Sequence, residues 1–186
     1  MLTRLRYCDS VPLLSSTGNL GKQVFLLNST FDPDYTNSGH QPLYRDTYAA
    51  IYDQYAVVEC NITIKIVNTG TVPIQCGMVI DDDVTTSTNY NVLMEQNNGQ
   101  HKLIPALTGS LSSGTFTYKW SCQKVLGIDP FASQTYKTAV GSNPSELSTM
   151  TVWVQSIDLA SSVTTYIQVE IDQLVLWTEL ATPSVS

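Results

Sequence analysis

Apolar and polar residues alternate along much of this chain, and the alternation predicts β-strands before anything else. In Cys60-Asn61-Ile62-Thr63-Ile64-Lys65-Ile66 every second side chain is apolar, which turns one face of an extended segment to a core and the other to solvent. The same rhythm runs through Phe116-Thr117-Tyr118-Lys119-Trp120, Met150-Thr151-Val152-Trp153-Val154-Gln155 and Ile167-Gln168-Val169-Glu170-Ile171-Asp172. After Gln173 it changes to Leu174-Val175-Leu176-Trp177, apolar on both faces, so that strand end is expected to be covered from both sides. Further strands are expected over Arg4 to Leu14, Lys22 to Asn28, Ile74 to Ile80 and Tyr90 to Met94. Gly, Asn, Ser and Pro turn signals separate them at Ser16-Thr17-Gly18-Asn19, Asn68-Thr69-Gly70, Asn97-Asn98-Gly99, Gly109 to Gly114 and Gly141-Ser142-Asn143-Pro144.

One segment departs from period two. Tyr44, Tyr48, Ile51, Tyr52 and Tyr55 stand at helical spacing, with Arg45, Asp46, Ala49 and Asp53 on the other side. The spacing predicts a helix between about Pro42 and Gln54, the one sizeable helix of the chain, with Pro42 in its first turn where a missing N–H costs nothing. Many strands, no regular alternation with helices and no internal repeat predict an all-β antiparallel sandwich or barrel. At 186 residues the chain suits one domain, residues 1–186, with a loose tail from about residue 180.

Composition adds two facts. Charged residues make up 13% of the chain, against roughly 25% in an ordinary soluble domain, and Ser and Thr together number 41. So little charge suits either extensive burial against partner subunits or a Thr/Ser-rich β protein with a neutral surface. The net charge of −7 disfavours nucleic acid or an anionic membrane as a partner of this chain alone. No apolar run approaches the roughly 18 residues that span a bilayer, so no membrane partner is expected. Cys8, Cys60, Cys76 and Cys122 lack paired spacing, and no signal-peptide pattern precedes them. They read as small buried apolar residues, and the sequons at Asn28 and Asn61 as chance matches.

The stretch Phe31-Asp32-Pro33-Asp34-Tyr35-Thr36-Asn37-Ser38-Gly39-His40-Gln41-Pro42 concentrates turn chemistry just before the expected helix. His40 beside Asp32 and Asp34 could form an acid–base or metal cluster, but no Ser or Cys nucleophile motif accompanies it. The simpler reading is a hydrogen-bonded loop residue. Asp81-Asp82-Asp83 offers hard oxygens to calcium, yet adjacent residues of an extended chain point alternately, which favours a solvated turn. His101-Lys102 reads as plain loop, and Trp120, Trp153 and Trp177 as core or interface anchors. No cofactor is expected. A cupin metal site would want several histidines, and the chain has two.

Together, Leu5-Arg6-Tyr7, Asn28-Ser29-Thr30-Phe31-Asp32-Pro33-Asp34, Gly39-His40-Gln41-Pro42 and the Tyr-rich segment ending Tyr52-Asp53-Gln54-Tyr55 resemble single jelly-roll capsid proteins. The resemblance is to those of small circular single-stranded DNA viruses encoding a replication initiator, some of them similar to capsids of small RNA viruses. The motifs cover about residues 4 to 66; beyond them only strand rhythm and the hydrophobic last strand agree. The resemblance implies an eight-stranded jelly roll with the helix in the connection between its second and third strands. It also implies a non-enzymatic coat protein of an icosahedral shell, found in the virion and assembling inside the host cell, in some cases in the nucleus. In it, Phe31, Asp32, Pro33, Asp34, Gly39, His40, Gln41 and Pro42 would form a rigid structural corner, Gly39 allowing a turn that other residues resist. Partners would be copies of itself and viral nucleic acid held through an Arg/Lys-rich N-terminal arm. Met1 stands immediately before the first strand, so the arm is missing from this chain, and Arg4 and Arg6 are the candidate genome-facing residues. A carbohydrate-binding jelly roll with exposed aromatics is the alternative.

Overall fold

The structure is a computed structural model that describes residues 1–36, 39–84, 87–107 and 112–182. Along the chain come β1 (Leu2–Ser15), β2 (Gly21–Leu26), α1 (Arg45–Ala49), β3 (Tyr52–Asn68), β4 (Ile74–Asp81) and α2 (Tyr90–Glu95). Then follow β5 (Gly99–Ile104), β6 (Ser112–Ser121), α3 (Cys122–Val125), β7 (Thr138–Ala139), β8 (Thr149–Ser156) and β9 (Val163–Leu180). One sheet has the order β1-β9-β3-β6, with the two-residue β7 beside β3; the other has the order β2-β8-β4-β5. The pairings within both sheets are antiparallel. Eight full strands alternating between two facing sheets in this order form a jelly-roll sandwich, as the resemblance implied.

The core is the sum of the inward positions of the alternating strands. Ile62, Ile64 and Ile66 of β3 and Val169 and Ile171 of β9 meet Val152 and Val154 of β8, and all seven are buried. Burying side chains of this size contributes about 1.5–3 kcal/mol each, before conformational entropy is set against it. β8 is buried on both faces. Its second face carries Trp153, which packs with Val79, Leu93, Tyr90 and Met94, so α2 roofs the outer side of the β2-β8-β4-β5 sheet. The doubly apolar end of β9 is covered too: Val175 and Trp177 are fully buried and Leu176 nearly so.

Several expectations are corrected. The helix after Pro42 is only Arg45–Ala49, and from Tyr52 the chain is already strand β3, paired with the end of β9. The helical spacing of Tyr52 and Tyr55 loses because pairing with β9 satisfies their backbone while the Tyr55 ring is buried against Trp177. α2 is longer, and it replaces the strand expected at Tyr90 to Met94. There Asn89 caps the turn by accepting a hydrogen bond from Asn91 N at 2.9 Å, and Tyr90, Leu93 and Met94 share the face laid on Trp153. His101 and Lys102 lie in strand β5, opposite Gly77 and Cys76. Cys8 is exposed, because Leu5 and Tyr7 take the inward positions of β1, whereas the other three cysteines are buried; all four are free thiols. The last strand runs to Leu180, and Ala181 N donates to Ile51 O at 2.9 Å, so the chain is held beyond the expected start of its loose tail. Residues 183–186, which complete that tail, and 108–111, in the expected turn at Gly109 to Gly114, lie outside the described residues.

Gly77 marks where β4 lies too close to its neighbours for any side chain. A Cβ there would run into the Gln100 carbonyl and stand 2.8 Å from the Trp153 ring, whereas one at Gly141 would meet nothing within 4 Å. Gly77→Ala should lower unfolding free energy by about 1–3 kcal/mol. Gly141→Ala should leave it nearly unchanged, and urea denaturation of both variants checks the contrast.

Candidate functional site

The chemically odd stretch lies where the resemblance implied, in the connection between β2 and β3. It begins as a buried passage. Leu27, Asn28, Ser29 and Thr30 are all buried, so their backbone polar groups need partners inside the protein. Leu27 N donates to Ser148 O at 2.8 Å. Gln173 Nε2, from the middle of β9, donates to Leu27 O at 3.2 Å and Ser29 O at 2.9 Å. The Asn28 amide donates to Glu146 O at 2.7 Å and accepts from Ser148 N at 3.0 Å. Ser29 Oγ accepts from Phe31 N and Asp32 N at 3.1 and 3.2 Å and donates to Asn143 Oδ1 at 2.6 Å. Tyr55 closes the cluster by donating to Ser142 O at 2.9 Å.

The next residues run along the free edge of β2. Leu26 N donates to Pro33 O at 2.8 Å and Tyr35 N to Val24 O at 3.0 Å, while Val24 N donates to Thr36 Oγ1 at 2.8 Å. The Asp34 carboxylate is buried and accepts from Gln23 Nε2 at 2.6 Å and Thr36 N at 3.2 Å. Asp32 stays half-buried, and burial followed by the charge of Asp34 raises its pKa. Asn37 and Ser38 lie outside the described residues.

Gly39 is needed for closeness rather than for a left-handed turn, contrary to the expectation. A Cβ there would stand 2.7 Å from Asp34 Cβ and 3.1 Å from the Tyr7 hydroxyl. His40 lies over Tyr7, with ring centroids 4.8 Å apart, and both of its ring nitrogens meet backbone carbonyls. Gln41 Nε2 returns to Phe31 O at 3.0 Å, and Pro42 O accepts from Arg45 N at 3.1 Å, three residues upstream of the helix rather than within it.

Sequence reasoning missed Arg45. Its side chain is buried over the Phe31 ring at 5.3 Å, and Nη1 donates to the exposed Asp46 at 2.9 Å. Nε and Nη2 are buried with no hydrogen-bond partner among the described residues. Gln173, Gln23 and Asn143 were missed as well, since nothing in their own neighbourhoods marks them as partners of a segment over a hundred residues away or across a sheet edge.

Arg4 and Arg6 do share the outer face of β1, and both are exposed and ion-paired. Arg4 meets Glu59 at 3.0 Å and Asp172 at 3.7 Å, and Arg6 meets Glu170 at 3.2 Å. Asp81 ends β4 and accepts from Asp82 N at 2.9 Å, while Asp82 and Asp83 are exposed; Thr149 Oγ1 donates to Asp83 O at 2.6 Å. No group of three or more metal-ligating side chains gathers among the described residues. Trp120, Trp153 and Trp177 are fully buried, while Tyr35 and Tyr44 are exposed, Tyr44 in a left-handed conformation at φ 66°.

The fold is shared with known structures. A turnip yellow mosaic virus chain matches with a TM-score of 0.53 and 14% identity, over 100% of this chain and 99% of that one. A chain of mud crab tombus-like virus gives 0.52 and 11%, over 99% and 84%. One from the T=3 Penaeus vannamei nodavirus gives 0.53 and 11%, over 97% and 55%. These neighbours are viral jelly-roll capsid proteins, and they come from RNA viruses. No protein-family model and no curated protein matches the sequence.

Two substitutions test the corner. Gln173→Leu leaves the buried Leu27 and Ser29 carbonyls without their amide donor and should lower unfolding free energy by about 1–3 kcal/mol, measured by urea denaturation. Arg45→Met keeps the apolar packing and removes two unpaired donors, so it should stay within about 1 kcal/mol of the parent. Arg45→Ala, which also loses the stem packed on Phe31, should cost clearly more in the same assay.

Proposed function

We propose that this chain is the coat subunit of a small virus and assembles with copies of itself into a closed icosahedral shell, without catalysis. The observation that carries the proposal is the jelly-roll strand order, which matches viral capsid chains along nearly the whole of this chain. Low charge supports it, because the sides of a shell subunit are buried against neighbours. So do the exposed Tyr35 and Tyr44, which suit interface anchors. On this reading the chain belongs in the virion after assembly within the host cell. Assignment to single-stranded DNA viruses, with nuclear assembly in some of them, rests only on the sequence motifs between about residues 4 and 66.

The body is a poor genome binder. It carries 9 basic against 16 acidic residues, and the two arginines nearest its N-terminus already face carboxylates. Packaging would need a basic arm, through which phosphate contacts release counterions without reading sequence. A carbohydrate-binding jelly roll is the second reading, favoured only by exposed tyrosines. Tyr35, Tyr44 and Tyr166 are exposed, whereas the three tryptophans are buried.

Purified chain examined by size-exclusion chromatography and negative-stain microscopy should give particles, each subunit burying several interfaces of about 1,200–2,000 Å². A strict monomer at high concentration in every salt tried would refute the shell. Particles of this chain should show a protein-like ratio of absorbance at 260 and 280 nm. Adding an N-terminal arm of about ten basic residues should raise that ratio and give steeply salt-dependent nucleic-acid binding. Full loading without the arm would mean that the body itself holds nucleic acid.

A further inference from the structure

His40 is held in a way that distinguishes its two protonation states. Nε2 lies 2.9 Å from Cys8 O on β1, and Nδ1 lies 3.0 Å from Gln41 O. Both partners are backbone carbonyls and can only accept. A neutral imidazole has one N–H and satisfies one of them; the imidazolium has two and satisfies both. β1 is an edge strand whose sheet partner is β9 alone, so the Cys8 carbonyl belongs to the open edge of the sheet. The ring is further located by a tilted contact with the Tyr7 ring, centroids 4.8 Å apart.

We propose that His40 is a proton-operated clasp, which as imidazolium ties the β2–β3 connection to the open edge of β1 and on losing its proton gives up one of its two bonds.

The charged and titratable surroundings agree with this. From β1, Tyr7, Cys8 and Asp9 face the ring. Tyr7 donates to Asp9 Oδ2 at 3.0 Å, and burial, then that bond, hold its hydroxyl far above the ordinary phenol range and hence neutral. From the connection, Asp32 and Asp34 place negative charge near Tyr7, while Arg6 and Glu170 flank Cys8. The Gln41 carbonyl raises the His40 pKa most; partial burial opposes it, and the Cys8 carbonyl and Asp9 add to the rise. A raised folded-state pKa means that the clasp contributes fully below the ordinary histidine value of about 6.5 and is lost as pH climbs through the higher folded value. The corner therefore loosens toward alkaline pH.

The test does not depend on whether a shell forms. The chain has two histidines, so ring resonances followed by NMR from about pH 5 to about pH 9 can be assigned with His101→Gln, which removes one of them. His40 should titrate above the ordinary histidine value of about 6.5, and Asp9→Asn should lower its midpoint. Thermal unfolding gives a second reading: the parent should exceed His40→Gln by about 2–4 °C near pH 5.5, and the gap should close by about pH 8.5. A His40 midpoint at or below about 6.5, or a His40→Gln deficit equal at both pH values, would overturn the clasp. Should His40→Gln fail to fold, the parent's own titration still decides.

Discussion

Leaving one sheet of a sandwich to reach the other forces the chain to carry its backbone through a region without water. In this protein that passage is Leu27–Thr30, and its polar groups are met by Gln173, Cys60, Asn143, Glu146 and Ser148. An amide in the middle of β9, among apolar neighbours, is unfavourable there unless it donates. It donates twice, to the Leu27 carbonyl, which also accepts from Cys60 Sγ at 2.9 Å, and to the Ser29 carbonyl. This amide ties the last strand to the residues just beyond β2, from which the stretch from Phe31 to Pro42 continues.

From that point the connection covers one side of the sandwich. Residues 33–36 satisfy the β2 edge, and His40 reaches the β1 edge. On the opposite side, β5 and β6 belong to different sheets, and side chains join them: Gln100 Nε2 donates to Thr117 O, and Lys102 Nζ to Thr115 O. Sheet edges left open invite pairing with other chains. Here a loop and a few long polar side chains meet part of those edges.

Among the described residues three non-glycine residues sit at positive φ, Tyr44, Leu159 and Glu179, and each is, or immediately precedes, an exposed large apolar side chain: Tyr44, Leu159 and Leu180. Such conformations cost of order 1–3 kcal/mol and persist where surrounding structure imposes them. The outer face of the β1-β9-β3-β6 sheet is different, with Arg4, Arg6 and Lys119 set against Glu59, Glu170 and Asp172. There the three cations are each paired with carboxylates.

Period-two alternation was enough to place β3, β6, β8 and β9 and to name their inward residues, because burying one face of a strand is a local rule that each residue obeys independently. The turn chemistry from Phe31 to Pro42 was legible for a similar reason. What local rules could not decide was any choice made by a distant partner. Tyr52 and Tyr55 fit a helix by spacing and became strand because β9 was there to pair with; Tyr90 to Met94 fit a strand and became a helix because Trp153 offered a surface to roof. His101 and Lys102 had no alternation to show, yet β4 drew them into an edge strand. Gln173, Arg45 and His40 acquired their roles from groups brought near only on folding, since a hydrogen-bond partner or a buried charge's neighbour is a property of three-dimensional proximity and leaves no period in the sequence.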